Sequence, residues 1–573
     1  MIKDLKTSDL VDPLGIDVVE PSLSWIMESD KQADYQTAYR IIVASDEENL
    51  NNDTGDLWDT EKVESGNSTN VKYNGKPLSS GDFAWWKVKV WNSANQQSEW
   101  SPAARWSLGP LKTADWNARW IGLDRAVGND KPEIENRVLS ARYLRKDFRI
   151  EKQVKRAVAY IAGLGVYELY FNGRKAGDHV LSPVLSEYPK RTYYVSYDVT
   201  GLLSNGENAV GVILGNGRYF SPRINEPTPT ITYGFPKLLL QVSIEYTDGS
   251  SEILLSDESW KITANGPIRE NNEYDGEVYD ARMELSGWNE YGFDDSDWMA
   301  VELVDSPSPE ISAQMTEPMR ITETIKPVGL ANPSPGVYVF DMGQNMVGWT
   351  ELTVRVEKGR VIRQKFAESL KEDGNLYLAN IRGARVTDTY ITKGEGLERY
   401  EPRFVFHGFR YVELTGYPGT PDLSTISGKV IHDDVAWTGH FECSDTLINR
   451  IYKNATWGIR GNYRSIPTDC PQRDERQGWL GDRAAGSKGE SYMFDIQNLY
   501  RKWLVDIFDA QKETGSISDV NPAYWPFYSD NVTWPGATVV LVNMIYEQYG
   551  DHEVIESSYQ PLKKWIDHMV NSY

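Results

Sequence analysis

Over about the first 430 residues, apolar and polar positions alternate in short runs broken by turn residues. That period of two is the pattern of strands half buried in packed sheets, and the spacing of the turns argues against βαβ units. In Phe83–Trp91 the side chains of Ala84, Trp86, Val88 and Val90 fall on one face, and a turn at Asn92–Gln97 follows. A second β region contains Val166–Phe171 running into Asn172-Gly173, the strongest short hairpin signal. Tyr193–Asp198 and Ala209–Leu214 continue it, separated by the polar turn Ser204–Asn208. A third contains Tyr338–Asp341, Thr350–Val356, Thr389–Thr392 and Phe409–Leu414.

After about Ala436 the period becomes helical. Leu447, Ile448, Ile451, Tyr452 and Ala455 share one helix face, and Leu499, Trp503 and Ile507 make a second stripe. Val539–Tyr549 and Leu562–Val570 follow, with Gly515 and Gly550 punctuating the ends of two segments. The boundaries expected are a sandwich at 1–112, a jelly-roll sandwich at 113–310, a third sandwich at 311–435 and a helical domain from 436 to 573. The first module, with Ser98-Glu-Trp-Ser101 after its aromatic strand, resembles a fibronectin type III-like fold and reads as a structural spacer.

Composition narrows the function. A chain of 573 residues with 40% hydrophobic and 25% charged residues is globular and multidomain. A net charge of −23 argues against nucleic acid, whose phosphates need a basic surface, and leaves neutral ligands such as sugars open. No apolar run reaches membrane-spanning length. The first fifteen residues carry five charges and no apolar core, so they are not a signal peptide. A cytoplasmic location is expected, or a periplasmic or secreted one if a signal has been removed. Cys443 and Cys470 lie 27 positions apart without metal-ligand spacing and read as lone thiols. The six histidines form no zinc motif, and no phosphate-binding loop is present, so no metal and no cofactor are expected.

Chemistry concentrates in Thr468-Asp-Cys-Pro-Gln-Arg-Asp-Glu-Arg-Gln-Gly-Trp-Leu-Gly-Asp482. The run holds Asp469, Asp474, Glu475 and Asp482, two arginines and Trp479; Pro471, Gly478 and Gly481 make it a loop between helices. Glycoside hydrolysis needs such a kit: one carboxyl to protonate the leaving oxygen, a second to activate water, and an aromatic face for the sugar ring. Mixed like and opposite charges push carboxyl pKa values apart. Taken alone, the same run also fits a solvated turn laced with salt bridges.

The run Asp469–Arg476 followed by Gly478-Trp-Leu-Gly-Asp482 resembles the signature of bacterial α-L-rhamnosidases, glycoside hydrolase family 78. Upstream, Tyr274-Asp-Gly-Glu-Val-Tyr-Asp-Ala-Arg282, Phe340–Trp349, Thr387-Asp-Thr-Tyr390, His407-Gly-Phe-Arg-Tyr411 and Phe441-Glu-Cys-Ser444 agree in the same order. Asn172-Gly173, Leu181-Ser-Pro183 and Tyr197-Asp-Val-Thr200 resemble the family's accessory jelly roll. The resemblance implies three β-sandwich modules followed by the first part of an (α/α)6 six-hairpin barrel. It implies hydrolysis of terminal α-L-rhamnose by inversion, without a cofactor. Glu475 matches the general acid, and Asp469, Arg473, Trp479, Asp482 and Trp534 match residues lining the rhamnose subsite. The partner implied is a rhamnose-containing glycan or glycoside.

In some relatives the jelly roll binds rhamnose with calcium; here Asn172, Asp178 and Asp198 read as turn residues. A dozen helices need on the order of 200 residues. Only 137 follow Ala436, so the barrel is expected to be incomplete, with apolar helix faces uncovered. The family's general base comes from the second half of that barrel and has no match here. An alternative class is therefore a non-catalytic glycan-binding protein.

Overall fold

The computed structural model describes residues 1–131, 138–223 and 228–573. Its first module packs a three-stranded sheet, built on Ile2–Thr7 and Ser22–Met27, against a five-stranded one centred on Ala38–Ala44 and Phe83–Trp91. The face read from sequence is the core face: Ala84, Trp86, Val88 and Val90 are all buried, with Trp25 and Trp106 packed among them.

The second module is a sandwich of a six-stranded and a seven-stranded sheet around Leu144, Ile161, Phe171, Val212 and Leu240. Val166–Phe171 pairs with Arg174–Lys175 through Asn172-Gly173, whose φ values of 50° and 76° are the two left-handed positions of a two-residue hairpin turn. The three polar candidates have partners within the protein. Asn172 donates to the Leu202 carbonyl and to Asn208, the Asp198 carboxylate accepts from Thr200 N, and Asp178 pairs with Arg320.

The third module is a continuous ten-stranded sheet organised by the long strand Val337–Val354. A register shift between Asp341 and Met346 lets that strand pair with His407–Thr415 along most of its length and with Ile426–Asp433 in its second half. The hairpin Ile268–Asn272 and Gly276–Asp280 lies within residues 113–310 yet belongs to this sheet, through parallel pairing of Gly276–Asp280 with Thr387–Ile391. Chain order and sheet membership diverge there, which strand periodicity cannot register. The upstream motifs pair with one another: Asp388 meets His407 at 3.1 Å, and Asp341 holds Arg410 by two 2.8 Å bonds.

The helical part begins with α1 (Thr446–Gly461), capped by Asp445, whose carboxylate accepts from Leu447 N and Ile448 N. Two short helices, α2 (Leu480–Ala484) and α3 (Ser487–Ser491), precede α4 (Gln497–Asp509), α5 (Ala537–Tyr549) and α6 (His552–Ser572). Leu499, Trp503 and Ile507 of α4 are fully buried with Leu541 and Ile545 of α5. Gly550 ends α5 in the left-handed conformation, as expected; α4 ends earlier, at Ala510, and Gly515 sits in the following turn. The α1 stripe forms but faces outward: Leu447, Ile448 and Ile451 are 66%, 46% and 58% exposed, while Thr456, Arg460 and Gly461 make the inner contacts. Periodicity identifies an apolar face; only neighbours decide whether it is covered. Both cysteines are free thiols. Among the described residues no helix is long and apolar enough to cross a membrane.

Candidate active site

Residues 462–479 form the loop between α1 and α2, as the proline and glycines imply. Two glycines, Gly478 in the loop and Gly481 in α2, are required by close approach. A methyl group at Gly478 would strike the Asn521 carbonyl, and one at Gly481 would lie 2.6 Å from the Trp534 ring.

The loop is fixed from beneath by the β modules. The buried Arg476 guanidinium donates to the carbonyls of Glu273, Phe406 (2.9 Å) and Arg473 (3.0 Å). Arg218 of the second module donates to the Arg476 carbonyl at 3.1 Å and pairs with Glu273, while the Tyr274 hydroxyl donates to the Glu475 carbonyl at 3.3 Å. Gly408 passes so close beneath Pro471 and Gln472 that an added methyl would touch both at 3.0 Å. Asp474 turns away from the opening: its carboxylate accepts from Arg382 Nε (2.8 Å) and Gly383 N (3.2 Å), and Arg223 lies 3.7 Å away.

The neighbouring carboxylate shares Arg382 with Asp474 but also reaches Trp479. Glu475 Oε1 accepts from Trp479 Nε1 at 3.0 Å, and Oε2 accepts from Arg473 Nε at 2.8 Å and Arg382 Nη2 at 3.0 Å. Arg473 also donates to Asp469 Oδ2 at 3.1 Å, while Asp469 Oδ1 accepts from Gln477 N at 2.7 Å. Burial pushes the Asp469 carboxyl up to about 6, with the Glu475 charge adding to it. Asp482, exposed on α2, is raised by partial desolvation and then by the charge of Glu475. Trp479 stacks on Phe527 with ring centres 5.8 Å apart and 16° between planes, and meets the edge of Trp525.

The structure thus gathers Asp469, Arg473, Glu475 and Trp479 in one hydrogen-bonded cluster. Asp482 stands at its side, and Trp534 packs on Gly481, the residue before Asp482. Ligand atoms of Asp469, Cys470 and Glu475 lie within 4.8 Å of one another, but the Arg473 guanidinium already bridges the two carboxylates where a cation would sit. Sequence reading missed Arg382 and Phe527. Arg382, isolated in the sequence at a left-handed φ of 55°, gave no local signal; Phe527 follows Trp525 in an aromatic cluster that did.

Four family models match in order. They are described as a Rha78A-like N-terminal immunoglobulin domain (2–112), an α-L-rhamnosidase N-terminal domain (152–323), a bacterial α-L-rhamnosidase concanavalin-like domain (331–432) and a bacterial α-L-rhamnosidase six-hairpin glycosidase domain (436–573). An α-L-rhamnosidase of Streptomyces avermitilis is 31% identical, over 97% of this chain and 69% of its own length. The chain belongs to the bacterial α-L-rhamnosidase family. Another α-L-rhamnosidase, of Formosa agariphila, is 36% identical over 97% of this chain and 60% of its own length. The crystal structure of the Streptomyces avermitilis α-L-rhamnosidase complexed with L-rhamnose superposes with a TM-score of 0.93 at 30% identity, covering 99% of this chain and 70% of that one. The α-L-rhamnosidase structure from Dictyoglumus thermophilum gives a TM-score of 0.93 at 45% identity, covering 100% and 64%. This family member therefore spans about three fifths of the length of the curated relatives it matches first. Three β modules preceding part of a six-hairpin barrel are its architecture.

Proposed function

We propose that this site belongs to a glycosidase that removes terminal α-L-rhamnose from glycosides or glycans, with Glu475 as the general acid. The observation that carries the reading is the position of the Glu475 carboxylate. One oxygen is held by Trp479 of the helical part and the other by arginines of the loop and the third β module, between the two layers. A carboxyl group at that boundary is placed to protonate a glycosidic oxygen lying across it. Trp479 offers an aromatic wall, and Asp469, Arg473, Asp482 and Trp534 supply hydrogen-bonding and stacking groups for one sugar ring. The supporting comparison is the L-rhamnose complex of the Streptomyces avermitilis relative.

Inversion requires a second carboxylate about 6.5–9.5 Å from the acid, with room for a water. Asp469 is too close, its oxygen lying within 4.8 Å of that of Glu475, so it binds or positions and does not activate water. The base is not assigned among the described residues. A glycan-binding protein without turnover is the reading favoured if no second carboxylate serves this site.

The test uses a natural rhamnoside, whose leaving group needs protonation, beside p-nitrophenyl α-L-rhamnoside, whose leaving group does not. Turnover by the 573-residue chain that falls at least about 100-fold in Glu475→Gln on the natural substrate, and far less on the activated one, supports the assignment. Equal rates on the natural substrate remove Glu475 from the role. Rhamnose binding without any turnover supports the binding-only reading.

A further inference from the structure

The outer face of the third module carries a groove of about 530 Å³ that shares a wall with the site. Arg382 is that wall: its side chain lines the groove and donates to Glu475 Oε2. The floor is the outward face of three neighbouring strands, with Arg363 and Lys365 two positions apart on Val361–Ala367, beside Thr387, Thr389 and Val278.

Four cations line this groove (Arg363, Lys365, Arg382 and Arg385) against two carboxylates, Glu270 and Asp275. Both carboxylates are engaged. Asp275 accepts from buried Arg223 at 2.9 Å and from Arg385 at 3.4 Å, and Glu270 lies 3.8 Å from Arg385. Arg363 and Lys365 form no ion pair among the described residues. Glu413, opposite Lys365 on the next strand, does not come within pairing distance. In a chain of net charge −23, two cations without an ion pair among the described residues, in a groove walled by Arg382, are a local reversal of sign.

We propose that this groove is the subsite for the residue to which the rhamnose is attached, and that it selects an anionic one: a uronic acid carboxylate presented to Arg363, Lys365 and Arg385. The inference rests on the reading of Glu475 given above, because an acid that protonates the glycosidic oxygen has the rhamnose on one side and the aglycone on the other. The helical aromatics lie toward Oε1 and the cationic groove toward Oε2, so the anion belongs on the groove side. A sulfate ester carries the same single negative charge and accepts from the same guanidinium and ammonium donors, and is the alternative source of the anion.

The experiment is calorimetric titration of the full chain with L-rhamnose, a neutral α-rhamnosyl-glucose, its glucuronic acid counterpart and its sulfate ester, repeated with Arg363→Gln/Lys365→Gln. The uronate is expected to bind about tenfold more tightly than the neutral disaccharide at low salt. That preference should shrink in high salt and largely vanish in the double variant, with L-rhamnose affinity unchanged. A sulfate preference above the uronate preference, lost in the same variant, upholds anion selection with sulfate as the source. Equal affinity for all disaccharides while L-rhamnose still binds overturns the subsite and leaves the rhamnosidase reading standing. Absence of L-rhamnose binding by the folded chain overturns both.

Discussion

Within one loop, Asp474 and Arg476 face the β modules while Glu475, Arg473 and Asp469 face the opening. The inner pair is buried and saturated by partners from three other segments. The outer set bridges one carboxylate to another and leaves an exposed flank at Asp482. The same residue types, alternating along the chain, do opposite jobs because the backbone between them turns: Arg476 itself adopts a left-handed φ of 56°. Buried charges of the inner kind fix geometry, and outer ones are free to exchange protein donors for ligand.

That contrast can be broken by mutation. Arg476→Ala should have the largest effect, on the order of 3–5 kcal/mol of unfolding free energy, since it leaves the carbonyls of Glu273, Phe406 and Arg473 without their donor in a buried interface. Arg473→Ala should cost less, about 1–2 kcal/mol, because Glu475 keeps Arg382 and Asp469 keeps Gln477 N, while abolishing rhamnose affinity. Urea denaturation and titration read both, and comparable destabilisation by the two variants would erase the distinction. Asp474→Asn, which leaves Arg382 and Arg223 short of a partner, should fall between them at about 2–3 kcal/mol.

Asp469 gives a pH test of the outer set. Its folded carboxyl lies near 6 and its unfolded value near 3.8, so the folded state binds the proton more tightly. Its contribution therefore favours folding below pH 3.8 and becomes unfavourable as pH rises through 6. Relative to the parent, Asp469→Asn should gain on the order of 1–3 kcal/mol between pH 4 and pH 7. A constant difference across that window would show that Asp469 is not desolvated. The smallest effect is expected at Gly481→Ala, which must displace the Trp534 ring: a severalfold loss of rhamnose affinity with a modest loss of stability.

A second contrast concerns the helical part. The inner stripe of α4 is buried, while α1 and α6 present Leu447, Ile451, Ile566 and Val570 to solvent. Limited proteolysis should cut α1 and α6 before any strand of the sandwiches. Resistance equal to that of the first module would show that these faces are covered in solution.

The chain's own pattern determined a good deal. Alternation placed the strands, and the Asn-Gly hairpin turn and the Trp86 core face follow directly from local residue preference. The Asp469–Asp482 run announced a site because its residue types cluster within a few positions. Sequence proximity ended its reach there. It could not divide the run into anchors and ligands, because that depends on which side of a backbone turn each residue falls. Nor could it bring Arg382 from the third module to Glu475, move the hairpin at 268–280 into a sheet with 387–391, or say that the apolar stripe of α1 would lie open. Those were decided by contacts between segments about 90 to 200 residues apart, where burial and charge pairing belong to the assembled layers and to no single stretch of chain.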